Sequence, residues 1–154
     1  MIKLSRMADY GVVVMTQLAR EQGVMQTAPE LAAATALPVP TVSKLLKLLA
    51  NASLLESHRG TKGGYALTRT AADITMADII GAVDGPIALT ECVANDGTIC
   101  EIEALCPTRT NWKRINDVLV EALRSVSLAE MAAPIDFLGA MNARIRAPAR
   151  EAVG

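Results

Sequence analysis

Aromatic residues are scarce in this chain: one Trp, two Tyr and one Phe in 154 residues that are 51% apolar. Its core must therefore be aliphatic, and it is expected to be mostly helical. Only one histidine, His58, is present. No His–Cys pairing, carboxylate pair or phosphate-cradling loop stands out, which leaves an enzyme poorly supported. No apolar run approaches the roughly 18–20 residues that span a bilayer. Met1-Ile2-Lys3-Leu4-Ser5-Arg6 leads straight into an amphipathic pattern with no apolar leader core, so the expected location is the cytoplasm, with no membrane partner. Cysteine is missing too, except in one stretch that holds Cys92, Cys100 and Cys106. Thiols clustered in a reducing compartment more often bind metal or do redox work than form disulfides.

The length allows one domain of ordinary size, or a small one with an oligomerisation element. The net charge of −1 averages two unlike parts. Residues 1–70 carry eight Lys/Arg against four acids, and residues 71–154 carry seven against twelve. A basic first half and an acidic remainder fit a nucleic-acid-facing N-terminal part.

In that first half, Leu4, Met7, Val12, Met15, Leu18 and Ala19 predict a helix ending before Gly23. Thr27-Ala28-Pro29-Glu30 is a capping box that opens a second helix, and Thr35-Ala36-Leu37-Pro38 is a short turn. A third helix over 40–50 places Val42, Leu45, Leu46 and Leu49 on one face and Thr41, Ser43, Lys44 and Lys47 on the other. This is a helix-turn-helix pattern, whose second helix enters the major groove of DNA. A lone helix with two lysines could equally be a solvated surface. Two short strands follow, Leu54-Leu55-Glu56-Ser57-His58 and Tyr65-Ala66-Leu67-Thr68, joined by Arg59-Gly60-Thr61-Lys62-Gly63-Gly64. A glycine-rich hairpin directly after a helix-turn-helix reads as a wing, with Arg59 and Lys62 able to reach phosphates or a minor groove.

Residues 73–83 predict a linker helix capped by Asp73 or Thr75 and stopped near Asp84-Gly85-Pro86. Periodicity then lapses over 87–105, with Asn95-Asp96-Gly97 as a turn signal, and a loop of that length needs a reason. The spacing C-x7-C-x5-C is neither the C-x2-C of structural zinc nor the tight run of ferredoxins. Cys106 precedes Pro107, read as the first helical residue, so its sulfur is expected at a helix N-terminus that favours a thiolate. Trp112, Ile115, Leu119, Leu123 and Val126 then form one apolar stripe, read as a dimerisation helix. Residues 147–154 are expected to be disordered, and 135–145 are ambiguous.

Taken together, Lys3-Leu4-Ser5, Asp9-Tyr10-Gly11, Arg59-Gly60, Gly63-Gly64-Tyr65, Ile74-Thr75, Ile79-Ile80, Val83-Asp84-Gly85-Pro86 and the three-cysteine loop resemble the Rrf2 family of bacterial winged-helix regulators, from about residue 2 to 131. That family includes iron–sulfur, nitric-oxide and iron sensors. The segments 40–47, 87–92 and 112–116 look closest to the branch that regulates SUF iron–sulfur cluster assembly. The resemblance implies that Cys92, Cys100 and Cys106 hold an iron–sulfur cluster, [2Fe–2S] or [4Fe–4S], that controls operator binding. In the cluster-assembly regulators a His three residues after the last Cys completes the site. Here Arg109 stands there, a very poor ligand. The nitric-oxide-sensing branch draws a carboxylate from the partner subunit's first helix, and Asp9 stands at that place.

The expectation is thus a mainly α protein with a small β wing: a winged helix-turn-helix domain over 1–70, a linker helix over 71–86, a cysteine loop over 87–107, a long dimerisation helix over 108–128 and a tail over 129–154. It would be a homodimeric, cluster-sensing repressor on double-stranded operator DNA, with no small-molecule substrate. Thr41, Ser43, Lys44, Lys47, Arg59, Lys62 and His58 would contact DNA, and Cys92, Cys100, Cys106 and a partner-borne Asp9 would bind metal. The rival of the same fold is a metal-free thiol–disulfide switch.

Overall fold

The computed structural model describes residues 3–94 and 106–133. In chain order these residues form α1 (Arg6–Arg20), α2 (Ala28–Thr35), α3 (Val39–Asn51), β1 (Leu55–His58), β2 (Gly64–Leu67), α4 (Met76–Asp84), α5 (Arg109–Arg124) and α6 (Leu128–Ala132), with short 3-10 turns at Ala71–Asp73 and Glu91–Val93. The mainly helical class with a two-stranded wing is as the sequence predicts. Among the described residues no helix is long and apolar enough to cross a membrane.

Ser5 sets the start of α1: its hydroxyl accepts from the Ala8 amide at 2.9 Å and leaves Leu4 outside the helix, 48% exposed. Met15 and Leu18 of the expected stripe are buried and Met7, Val12 and Ala19 pack partly buried beside them, but the buried face also includes Ala8, Gly11 and Val14, which the expected stripe left out. The small residues matter because α4 packs there. A Cβ on Gly11 would stand 3.0 Å from the Val83 side chain. Counting only bulky residues hid that face.

The Thr27–Glu30 capping box forms as expected: the Thr27 amide donates to the Glu30 carboxylate at 2.7 Å. Residue Ala36 turns the chain with a left-handed φ of 57°, and α3 begins at Val39, one residue before the expected start. Val42, Leu45, Leu46 and Leu49 are fully buried, as their spacing predicts. The wing is an antiparallel pair with His58 opposite Gly64, and Tyr65 makes a second bridge to Gln26.

Segment 71–86, expected as a linker, lies inside the same core: Ala71, Ile74, Met76, Ile79 and Ile80 are buried with α1 and α3. Thr75 caps α4 together with Asp78. Two further bonds close this layer, from the Met76 amide to Val126 O at 3.0 Å and from the Leu128 amide to Ile74 O at 2.7 Å. The stretch after Leu128 carries no clear stripe in the sequence, yet it opens with α6. There Ser127 and Glu130 form a third capping box and Leu128 is fully buried. The remainder of the expected tail, 134–154, lies outside the described residues, as do Cys100 and the Asn95-Asp96-Gly97 turn.

Candidate DNA-reading surface and cysteine site

Helices α2 and α3 are joined by three residues, Ala36 to Pro38. The buried face of α3 fixes its rotation, so Lys44 and Lys47 are exposed while Thr41 and Ser43 are half-buried beside them. Pro38 cannot cap the helix and no side chain does, leaving the N-terminal turn of α3 open to solvent beside Val39, which is 44% exposed.

Arg59 and Lys62 are exposed at the tip of the wing. The tip is closed by a bond from the Gly63 amide to Gly60 O at 3.0 Å, with Gly60 at φ +119°. The Nε2 atom of His58 lies 3.6 Å from the Glu56 carboxylate, and both side chains are exposed. An acid at that position opposes a phosphate contact by His58, so the wing's positive charge is concentrated at Arg59 and Lys62.

The cysteine site is built around the first turns of α5. That helix starts at Arg109 with Thr108 as its cap residue, two positions later than Pro107. Cys106 therefore precedes the helix, and its carbonyl accepts from the Arg109 amide at 3.5 Å. The Cys106 sulfur is 3.4 Å from the Thr108 hydroxyl. Hydrogen bonds from the Thr108 side chain and backbone hold this thiol below its ordinary pKa, and the Arg109 N–H and guanidinium charge act in the same direction. Cys92 sits in the 3-10 turn Glu91–Val93, half-buried, with its sulfur 3.2 Å from the Thr90 hydroxyl. It lines a cavity of about 390 Å³ together with Ile87, Arg109, Thr110, Lys113 and Asn116. Cys92 thus lies against the first turns of α5, and Cys106 lies three residues before that helix begins.

The donor set suits a soft, thiolate-bound metal: two free thiols, one of them biased toward the thiolate, beside the cationic residues Arg109 and Lys113. Among the described residues no group of three or more His, Cys, Asp and Glu is assembled. The third expected ligand, Cys100, lies outside them. Asp9 is exposed on the first turn of α1, in a groove with Val12, Val13, Thr16 and Met131, and is not brought to the two cysteines within one chain.

Along α5 the expected single stripe divides into two faces. Asn116 is its one buried residue, and Leu123 and Val126 pack against the core. Ile115 and Val118, about a quarter turn or more away, are 49% and 66% exposed. With Asn111 and Arg114 they surround a hollow of about 380 Å³. Spacing of i, i+3, i+4 and i+7 is that of a hole that accepts a knob from a facing helix.

Residues 4–134 match the family model for Rrf2, described as an iron-dependent transcriptional regulator. The chain is 32% identical over 136 residues to the HTH-type transcriptional regulator CymR of Bacillus subtilis, covering 88% of this chain and 93% of that protein. It is similar in structure to CymR, the global cysteine regulator of B. subtilis, with TM-score 0.69 and 34% identity over 86% of this chain and 97% of that one. The structure of T. potens IscR matches with TM-score 0.65 and 27% identity over 99% of this chain and 94% of that one.

Proposed function

Because the chain belongs to the Rrf2 family of transcriptional regulators, we propose that it is a homodimeric repressor whose operator affinity follows the occupancy of Cys92, Cys100 and Cys106 by an iron–sulfur cluster, and that its targets are cluster-assembly or iron-homeostasis genes. It is a DNA-binding regulator and not an enzyme, as its relatives are. The observation that carries the reading is that Cys92 lines a cavity against the first turns of α5 while Cys106 is bonded to the start of the same helix.

When bound, an iron–sulfur cluster supplies redox- and oxygen-sensitive bonds between its thiolates. The protein's own residues do the rest. Thr108 and Arg109 favour the Cys106 thiolate. Arg109 replaces the local histidine as a cation, which leaves the fourth position to the partner's Asp9. Two copies joined along α5 place two α3 helices on one side of a two-fold axis, and half-sites about 34–36 Å apart are the spacing such a dimer reads. Thr41, Ser43, Lys44 and Lys47 would then face the major groove, with Arg59 and Lys62 toward the backbone or minor groove and His58 held beside Glu56. A carboxylate ligand donated across the dimer would couple the occupancy of the cysteines to the spacing of the α3 helices.

Anaerobic purification with iron and sulfide analysis, visible and Mössbauer spectra, and operator titration of loaded and cluster-free protein test this reading. A coloured dimer whose operator affinity changes on loading, and not in Cys92→Ala, is expected. A colourless, iron-free protein whose affinity is indifferent to Cys92→Ala would sink it. Altered spectra in Asp9→Ala, with unaltered spectra in Arg109→Ala, are expected if the carboxylate is the fourth ligand. The second reading, a metal-free thiol–disulfide switch, is favoured by the lowered pKa of Cys106 and by likeness to a cysteine regulator. It requires a two-electron oxidant such as a peroxide, and the same iron and sulfide analysis separates the two.

A further inference from the structure

The one buried residue of α5 is polar. Asn116 is 7% exposed, and both ends of its carboxamide are used. Its Oδ1 accepts from the Leu89 amide at 3.0 Å. Its Nδ2 donates to the Ile87 carbonyl at 3.2 Å. The partners are 27 and 29 positions away in the chain, so Asn116 does nothing for its own helix. It holds the arm 86–90, which follows α4 and leads to Cys92 in the cavity that Asn116 also lines. Below the arm, the Ser5 hydroxyl donates to Asp84, the last residue of α4, at 2.6 Å, and the arm's own Ile87 packs partly buried against the core.

A residue chosen only to dock α5 would be apolar, since apolar burial stabilises without partners to satisfy. A carboxamide here accepts from one backbone N–H and donates to a carbonyl two residues earlier, so it fixes the arm's register along α5 as well as its proximity. Cys106 is fixed to the same helix through Thr108 and the Arg109 amide. Asn116 therefore determines where one thiol stands relative to the other.

We infer that Asn116 is a positioning residue that keeps Cys92 in register with α5, and that this register couples the state of the cysteine site to operator affinity. This rests on the cluster-sensing reading above, but part of it is testable without any cluster. In the reduced, metal-free protein, Asn116→Leu leaves the Leu89 N–H and Ile87 carbonyl without their partner, and the arm is released. Hydrogen exchange at the Leu89 amide and alkylation of Cys92 by iodoacetamide, followed by mass spectrometry, should each accelerate at least tenfold, with Cys106 alkylation within twofold of wild type. Asn116→Asp keeps the acceptor for Leu89 and loses the donor to Ile87. It should fall between the two, and it serves if the leucine variant does not fold. Unchanged exchange and alkylation in either folded variant would overturn the positioning role.

The coupling is read as the ratio of operator affinities of loaded and metal-free protein. A ratio that differs from one in wild type and collapses toward one in Asn116→Leu, with the cluster spectrum retained, supports the inference. A ratio preserved in the variant overturns it. A ratio of one in wild type overturns the cluster-sensing reading and the coupling with it, while the alkylation result still decides whether Asn116 positions Cys92.

Discussion

Gly64 lies against the backbone of Gln26, so closely that a Cβ on Gly64 would stand 2.9 Å from the Gln26 carbonyl carbon and oxygen. The contact exists because Tyr65 and Gln26 exchange two backbone bonds, of 2.8 and 3.1 Å, which fasten the wing to the segment between α1 and α2. Gly64 also has φ +155°, outside the comfortable range of other residues. Gly64→Ala should therefore destabilise the fold by about 1–3 kcal/mol and weaken operator binding by displacing Arg59 and Lys62. Gly81→Ala is the comparison: nothing lies within 4 Å of its added Cβ inside α4, and a helix-interior glycine replaced by alanine should gain about 0.5–1 kcal/mol. Urea unfolding of both variants checks the pair.

The winged-helix half was legible in the sequence because each of its elements has a local signature. The Thr27–Glu30 box, the four-residue face of α3 and the glycine-rich hairpin each carry their own physics within a few residues. The errors came where long-range packing decided. Ala8 and Gly11 face the core because α4 needs close approach, a demand made by Val83 about 70 positions later. Segment 71–86 packs into the core rather than only linking, since Met76 and Ile74 bond to Val126 and Leu128, about 50 positions later. In α5 the apolar residues suggested one stripe. The seam toward its own protomer passes through Asn116, and only a contact with the distant arm 87–89 reveals that a polar residue occupies it. The cysteines are visible in the sequence as a group, but the start of the helix after them lies two residues later than Pro107 suggests, because Thr108 is the cap residue of α5.

The DNA surface predicts a pattern of salt effects. Lys44 and Lys47 on α3 and Arg59 and Lys62 on the wing are exposed, and none is needed by the core. Replacing one phosphate-contacting lysine by alanine in a homodimer removes two contacts, so the slope of log affinity against log salt should fall by about two. Melting temperature should be unchanged. Thr41→Ala or Ser43→Ala, if they read base edges, should instead reduce discrimination between operator and random DNA with little change in slope. Fluorescence anisotropy over a range of salt concentrations separates the two classes.

The Cys106 thiol gives a pH prediction for the reduced, metal-free protein. Hydrogen bonds from Thr108 favour its thiolate, so its pKa lies below the ordinary thiol value. Only the thiolate is nucleophilic. Alkylation should thus reach half its maximal rate at a pH below that of a model thiol, and slow as pH falls through that point. Thr108→Val removes the leading cause and should move the midpoint upward, toward the ordinary value. Arg109→Gln should move it in the same direction by less, since its contributions are smaller than those of Thr108. Rates measured by mass spectrometry across pH 6 to 10, roughly the span of ordinary and shifted thiols, decide it. An unshifted midpoint in Thr108→Val would remove the hydroxyl from the account of this thiol.

The outer face of α5 predicts the assembly state. Val118 and Ile115 are large apolar residues left 66% and 49% exposed on a helix whose inward face is already satisfied by Asn116 and Leu123. In a two-fold dimer each would be buried twice, and full burial of such a side chain contributes roughly 1.5–3 kcal/mol. Val118→Glu places two carboxylates near the axis without touching the core. It should convert the dimer to a folded monomer with far-ultraviolet circular dichroism unchanged and operator affinity lowered at least a hundredfold, because two half-sites are no longer read by one molecule. Lys113→Ala deletes the exposed 2.7 Å pair with Asp117 on the cysteine-cavity side of the helix, away from Ile115 and Val118, and surface pairs of this kind contribute about 0–1 kcal/mol, so that variant should remain dimeric. Sedimentation equilibrium on both proteins gives the answer. A Val118→Glu variant that still sediments as a dimer would place the two-fold contact elsewhere, with the α1 groove of Val12, Val13 and Met131 the next surface to mutate.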